Sequence, residues 1–160
     1  MPSEAIRLSL ITCTRNSARH LRACLDSVKA QSRQPFEHIF IDTDSTDGSL
    51  DIIRAYDAEA RIISCPQPGL YRALNEGLRQ ARGDVIGFLH ADDAFAAADC
   101  LERVAAAFEK DPELGFYCSR MEVYDEDLKQ PFAILGAAPH KATWREQLYS
   151  SNYFAHPTYY

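Results

Sequence analysis

The chain has 160 residues, enough for one domain with a buried core, and its 46% hydrophobic and 25% charged composition excludes a disordered polymer. Its 17 Lys and Arg against 23 Asp and Glu leave a formal charge of −6, which argues against nucleic acid or an anionic membrane as a broad partner. Any phosphate ligand must then be met locally, by backbone amides, a metal ion or a few cations.

The elements alternate along the chain. Residues 6–13 are rich in Ile and Leu and read as a buried strand. Residues 17–32 place Leu21, Cys24, Leu25 and Val28 at helical spacing, with Asn16 or Ser17 as the N-cap. Pro35 announces a second strand over 36–41, and a second helix over 46–56 turns Leu50, Ile52 and Ile53 inward. A short strand at 61–64 precedes a helix over 70–82 that carries Leu70, Leu74 and Leu78 in one row. A strand at 85–90, a helix at 99–109 with Leu101, Val104, Ala105 and Phe108 inward, and a less regular strand at 115–124 follow.

This alternation predicts an α/β fold, with a mostly parallel sheet covered by helices on both faces. The five cysteines form no C-x-x-C pair, so neither a disulfide framework nor a structural zinc site is expected. The chain opens without a charged-then-apolar leader pattern, and no apolar run approaches the roughly 20 residues that span a bilayer. A cytoplasmic location is the expectation.

Ligands of such sheets sit beyond the carboxyl ends of the strands, which directs attention to residues 12–16, 42–47, 65–69 and 90–93. Asp42 and Asp44 follow the second strand without an obvious cationic partner. Ser45 or Thr46 is a candidate cap for the next helix, with Asp47 in its first turn. After the fourth strand comes His90-Ala91-Asp92-Asp93. Two adjacent acids at the end of a buried strand are costly unless solvated or bound to a metal, and carboxylate oxygens suit Mg²⁺ or Mn²⁺. The alternative for Asp93 is a cap, and for Asp92 a solvated surface. Arg72, Asn75 and Glu76 sit one turn inside the third helix, where a solvated face is the simpler reading. Arg15, the one cation at the end of the first strand, could meet a phosphate or a base, or pair with Asp42 or Asp44. The chain contains no G-x-G-x-x-G after its first strand, no phosphate-loop G-K-[ST] and no G-x-S-x-G elbow, which removes dinucleotide-binding, P-loop and esterase readings.

Taken in order, residues 10–17, 31–42, 42–49, 69–77 and 81–93 resemble the motifs of glycosyltransferase family 2, whose members have the GT-A fold, a Rossmann-like α/β sheet. Each match is weak alone; the ordered set is specific. The resemblance implies a donor nucleotide diphospho-sugar, such as a UDP-sugar, transferred with inversion to a saccharide or glycolipid acceptor. It implies that Thr12, Thr14, Arg15, Asn16, Asp42, Asp44, Tyr71 and Asn75 lie on the nucleotide side. Asp92 takes the metal position, holding Mn²⁺ or Mg²⁺ against the diphosphate, while Asp93 and His156 face sugar or diphosphate. Thr43, Gln67, Arg72 and His90 depart from the family pattern at positions that bear on sugar and base choice. Residues 152–160 resemble a family strand beyond which members continue, so the domain, 1–160, is expected to be C-terminally truncated and to lack the catalytic base. A longer protein could be peripheral to a membrane.

Two rival readings remain at this stage. One is a non-catalytic module that binds nucleotide sugars. The other is a haloacid-dehalogenase-like phosphohydrolase, because residues 39–46 also resemble that family's nucleophile motif, with Asp42 attacking and Asp44 as acid-base. That motif lacks a well-placed lysine here, since Lys29 precedes it and Lys110 follows both acidic segments.

Overall fold

A computed structural model describes residues 5–117, 119 and 121–124, together with the backbone of 133–135. Strands β1 (Leu8–Thr14), β2 (Glu37–Asp42), β3 (Arg61–Ser64) and β4 (Val85–Phe88) form one sheet in the order β3-β2-β1-β4. Every pairing in it is parallel. Helix α1 (Ala18–Lys29) joins β1 to β2, α2 (Ser49–Tyr56) joins β2 to β3, α3 (Leu70–Gln80) joins β3 to β4, and α4 (Cys100–Lys110) follows β4. The chain winds outward from β1 to β3, then crosses back to lay β4 on the other side of β1. The direction of winding therefore reverses between β1 and β4, the place where open α/β sheets hold ligands.

Side-chain parity decides the two faces. Leu10 of β1 packs with Cys24 and Val28 of α1, and Phe40 of β2 with Leu21, Leu25 and Ile53 of α1 and α2. Leu8 and Val85 pack with Leu101, Val104 and Ala105 of α4 on that same face. The opposite face carries Ile11, Ile39 and Ile41 against Ala73 of α3. Helices thus cover both faces, as the alternation predicts.

Several boundaries and faces differ from expectation. Helix α2 starts at Ser49 rather than at Thr46; its N-cap is Gly48 at φ 91°, a backbone shape that glycine adopts without strain. The inward face of α3 is Ala73, Leu74 and Gly77, while Leu70 and Leu78 are 46% and 42% exposed. The reason is close approach: a Cβ on Gly77 would lie 2.6 Å from Cγ2 of Ile11, so the helix comes nearest the sheet at a position without a side chain. The strand expected over 115–124 is reduced to β5 (Met121–Val123), which pairs antiparallel with β6 (Ala133–Leu135) in a separate two-stranded sheet. Cys118 and His156 lie outside the described residues.

Candidate functional site

The loops after β1 and β2 are bonded into one unit. Asn16 N–H donates to Ser45 Oγ at 2.9 Å, and Thr46 N–H donates back to Asn16 Oδ1 at 2.9 Å. Ser17 N–H donates to Ser49 Oγ and Ala18 N–H to Asp47 Oδ2, each at 2.8 Å. Asp47 therefore sits at the amino end of α1, where its charge meets the positive end of the helix dipole, and also accepts from Ser49 N–H and Oγ–H. The Ser49 hydroxyl, then the Ala18 amide, hold its carboxyl below the usual range. Asn16 and Asp44, at φ 50° and 56°, take the left-handed conformation that short polar side chains tolerate best.

Asp42 belongs to the same unit. It is 5% exposed. Its Oδ1 accepts from Thr14 Oγ1 at 2.8 Å and Ser45 Oγ at 2.6 Å, and its Oδ2 accepts from Ser45 N–H at 3.0 Å. Register explains the first bond, because Thr14 and Asp42 are direct neighbours across β1 and β2. Thr12 is wholly buried, with Oγ1 2.9 Å from His38 Nε2. The hydroxyls of Thr12 and Thr14, residues expected on the nucleotide side, are both bonded inside the protein, on the sheet face shared with Leu8 and Leu10.

The β4 tip is different. Asp92 is exposed, and Asp93 is half-buried beside it. Burial, then the charge of Asp92, pushes the Asp93 carboxyl up to about 6. Two carboxylates held this way gain from a nearby cation, which relieves their repulsion. Among the described residues no three or more His, Cys, Asp or Glu side chains converge on one point. The pair fits an ion such as Mg²⁺, which takes one or two carboxylates and completes its shell with phosphate oxygens and water.

Two cavities open along the carboxyl edge of the sheet. One, about 470 Å³, lies where the winding reverses; Arg15, Asn16, Ser17 and His20 line it on the α1 side, and His90, Ala91 and Asp92 on the β4 side, with Cys13 and Leu70 completing it. The other, about 500 Å³, is lined by Asp42, Asp44, Ser45, Thr46 and Ser64 at the strand ends, and by Leu50, Arg54 and Ile62. Both volumes suit a small ligand. Asp42 and Asp92 thus share one edge of the sheet but line separate cavities, with the bonded loops between them. Tyr71, 75% exposed, and the exposed Asn75 line neither cavity; Leu70 does. Burial, then Cys65, pushes the Cys13 thiol up to about 12, which disfavours its thiolate. The sequence reading gave His20 no role and Leu70 only a core role, although a first-turn residue after a strand tip is a position from which a ligand can be reached.

A parallel sheet with acids at its switch point, and cavities at its carboxyl edge, defines an α/β protein built to take a ligand there. The model of glycosyl transferase family 2 matches residues 9–158, and the chain belongs to that family. It is similar, at 43% identity over 102 residues, to a PGL/p-HBAD biosynthesis glycosyltransferase of Mycobacterium bovis (strain BCG / Pasteur 1173P2), the match covering 61% of this chain and 40% of that protein. Its fold is similar to that of the mannosyltransferase PcManGT from Pyrobaculum calidifontis, solved with GDP-Man and Mn²⁺ (TM-score 0.62, 26% identity, 74% of this chain and 36% of that one). It is also similar to S. aureus TarS 1-349 in complex with UDP-GlcNAc (TM-score 0.58, 27% identity, 66% of this chain and 32% of that one). The fold is the GT-A fold of those glycosyltransferases. The chain spans 40% of the length of the mycobacterial relative. Family membership replaces the dehalogenase-like reading, and both oxygens of the Asp42 carboxylate already accept hydrogen bonds.

Proposed function

We propose that this chain is the donor-binding part of an inverting glycosyltransferase that takes a nucleotide diphospho-sugar, with a divalent metal, and passes the sugar to a saccharide or glycolipid acceptor. The observation that carries the reading is the Asp92–Asp93 pair at the tip of β4: Asp92 is exposed on the wall of the cavity at the switch point, and Asp93 beside it is half-buried with a raised carboxyl pKa. Asp92, with Asp93 behind it, would hold Mn²⁺ or Mg²⁺. Bound there, the ion would neutralise charge on the leaving nucleoside diphosphate. Arg15 extends from the opposite wall as a cation for the same anion. Asp44, in the second cavity, is the acid placed for a ribose hydroxyl or base edge; Asp42 holds the loop that presents it. UDP and GDP are both candidate carriers, because the structural neighbours were solved with UDP-GlcNAc and with GDP-Man. A cytoplasmic site of action, where nucleotide sugars are made, and a peripheral membrane association of a longer protein belong to the same proposal.

Titration calorimetry of the 160-residue chain with UDP and GDP, in Mn²⁺ and in EDTA, tests it. The expected result is binding of one nucleotide in the micromolar range (about −8 kcal/mol) with Mn²⁺ and a loss of at least about tenfold without it. Equal affinity in EDTA removes the metal from the proposal; no binding of either nucleotide removes the donor site.

A further inference from the structure

We infer that Ser27 of α1, with Cys24 and Gln31 on the same edge of the helix, is a positioning residue for the tip of β4: it holds the backbone that presents Asp92 and Asp93. The inference rests on the donor-binding reading above and goes beyond it, from the acids to what aims them.

Residues 89–99 connect β4 to α4 without helix or strand. Backbone groups shielded from water in such a stretch need partners outside it. Helix α1 supplies them. The His90 carbonyl accepts from Asp93 N–H at 3.0 Å, closing the turn that carries the acids, and also from Cys24 Sγ–H at 3.5 Å. Phe95 N–H donates to Ser27 Oγ at 3.0 Å. Gln31 Nε2 donates to Ala97 O at 2.8 Å, and its Oε1 accepts from Leu101 N–H at 3.1 Å. Just past the helix, Ser32 N–H donates to Ala98 O at 2.7 Å. Cys24, Ser27 and Gln31 are spaced i, i+3 and i+7, so they form one stripe along α1.

Apolar contacts fix the same stretch. Ala91, 5% exposed, packs with Leu21 and Leu25, and Phe95 packs against the cluster of Cys24 and Val28. Asp92 and Asp93 therefore lie between two side chains anchored on α1. Asp92 is itself exposed, so packing does not aim its carboxylate; the backbone beneath it does. The same helix begins beside Arg15, so both walls of the switch-point cavity are referred to one rigid element. A small divalent ion demands oxygens in fixed places, and the groups that support its ligands affect how tightly it is held. Cys24 and Gln31 are buried, so replacing either disturbs the core as well. Ser27 is half-buried. Its hydroxyl donates to Cys24 O at 2.7 Å, one turn back, which leaves its lone pairs for the Phe95 amide.

The test uses the whole chain and three variants: Ser27→Ala, Ser27→Thr and, as a control for lost stability, Ser9→Ala. Ser9 lies at the far end of β1, where its hydroxyl joins Glu37 and Gly83 N–H. Each protein is titrated by calorimetry with UDP and GDP, in Mn²⁺ and in EDTA, and the Phe95 amide is followed by hydrogen exchange. Ser27→Ala should lower the Mn²⁺-dependent gain in affinity about tenfold, a loss typical of groups that support a metal ligand, while affinity in EDTA stays within about twofold. Its Phe95 amide should exchange faster. Ser27→Thr should restore both, because a threonine hydroxyl in a helix can make the same bond to the preceding turn. Ser9→Ala should lower the urea midpoint and keep the full Mn²⁺ gain. An undiminished gain in Ser27→Ala overturns the inference. So does an equal loss in Mn²⁺ and EDTA, an equal loss in Ser9→Ala, or a threonine variant that behaves like alanine. In each of these cases the donor site stands without it. If wild-type protein shows no Mn²⁺-dependent gain with either nucleotide, the metal reading fails, and this inference fails with it.

Discussion

The tips of β2 and β4 both carry acids after a buried strand, yet the structure uses them in opposite ways. At β2, Asp42 is buried and accepts three hydrogen bonds, while Asp47 reaches across to the amino end of α1. These carboxylates are structural parts of a bonded loop pair. At β4, Asp92 is exposed, and Asp93 has its pKa raised by burial and by its neighbour. Acids whose oxygens already accept hydrogen bonds inside the protein hold the fold; acids that repel each other at a cavity wall are ready for an external cation. Identical residue types at equivalent strand tips are thus separated by their partners.

Substitution should separate them further. Asp92→Ala should lower Mn²⁺-dependent nucleotide affinity by about a thousandfold, the largest effect, since it removes the proposed metal ligand. Its urea midpoint should match wild type, because exposed Asp92 supports little structure. Asp42→Ala should show the reverse weighting. It strands the buried donor of Thr14 and the half-buried donors of Ser45 and should cost about 3 kcal/mol of stability, read by urea unfolding. A stable Asp42→Ala protein, or a destabilised Asp92→Ala protein, would erase the contrast between the two tips.

Asn16→Ala should cost less, about 2 kcal/mol, by removing the acceptor of Thr46 N–H and forcing alanine to φ 50°. Asn16→Gly restores the backbone freedom but not the acceptor, so it should recover about half of that loss. If alanine and glycine are equally tolerated, the loop pair is held by its other bonds alone.

The sheet was legible because its strands are short apolar runs and its helices have clear 3.6-residue spacing. Arg61–Ser64 was read to the residue. Ser17 is the N-cap of α1, one of the two residues the sequence offered, but the carboxylate at that amino end, Asp47, comes from another loop 29 residues on; the start of α2 was less legible because its N-cap is Gly48 rather than a residue with a capping side chain. The burial of Thr12 and Thr14 was available in principle, since they alternate in phase with Leu8 and Leu10. What the sequence lacked was the register that sets Thr14 beside Asp42. The inward face of α3 was misread for a related reason: Leu70, Leu74 and Leu78 dominate the hydropathy pattern, but how closely the helix approaches Ile11 is a property of packing.

The smallest expected effect concerns His38, which lies under the sheet away from both cavities. Its Nε2 is 2.9 Å from Thr12 Oγ1, and its ring packs on Phe40 at 4.1 Å and edge-on to Tyr56 at 6.3 Å. Its Nδ1 is shielded from water and has no hydrogen-bond partner among the described residues. Burial pushes its pKa down to about 3. The unfolded chain takes that proton near pH 6.5, as a free imidazole does, and the folded chain resists it until about pH 3. The stability contribution is therefore complete above pH 6.5 and is lost as pH falls through that window. Between pH 7 and pH 5.5 the loss should be about 1 kcal/mol. Asp93 works in the opposite direction, because its folded pKa is raised: its contribution is complete at low pH and is lost as pH rises through about 6. The two partly cancel in the wild-type protein, so a single pH profile would hide both. His38→Phe keeps the aromatic packing and removes the titration together with the Thr12 hydrogen bond, whose loss does not vary with pH in this window. Its urea midpoint should become less sensitive to acid than that of the wild type, or rise as pH falls from 7 to 5.5, with Asp93 left to act alone. Parallel profiles for the two proteins would mean that the His38 ring takes its proton in the folded state as readily as in the unfolded one.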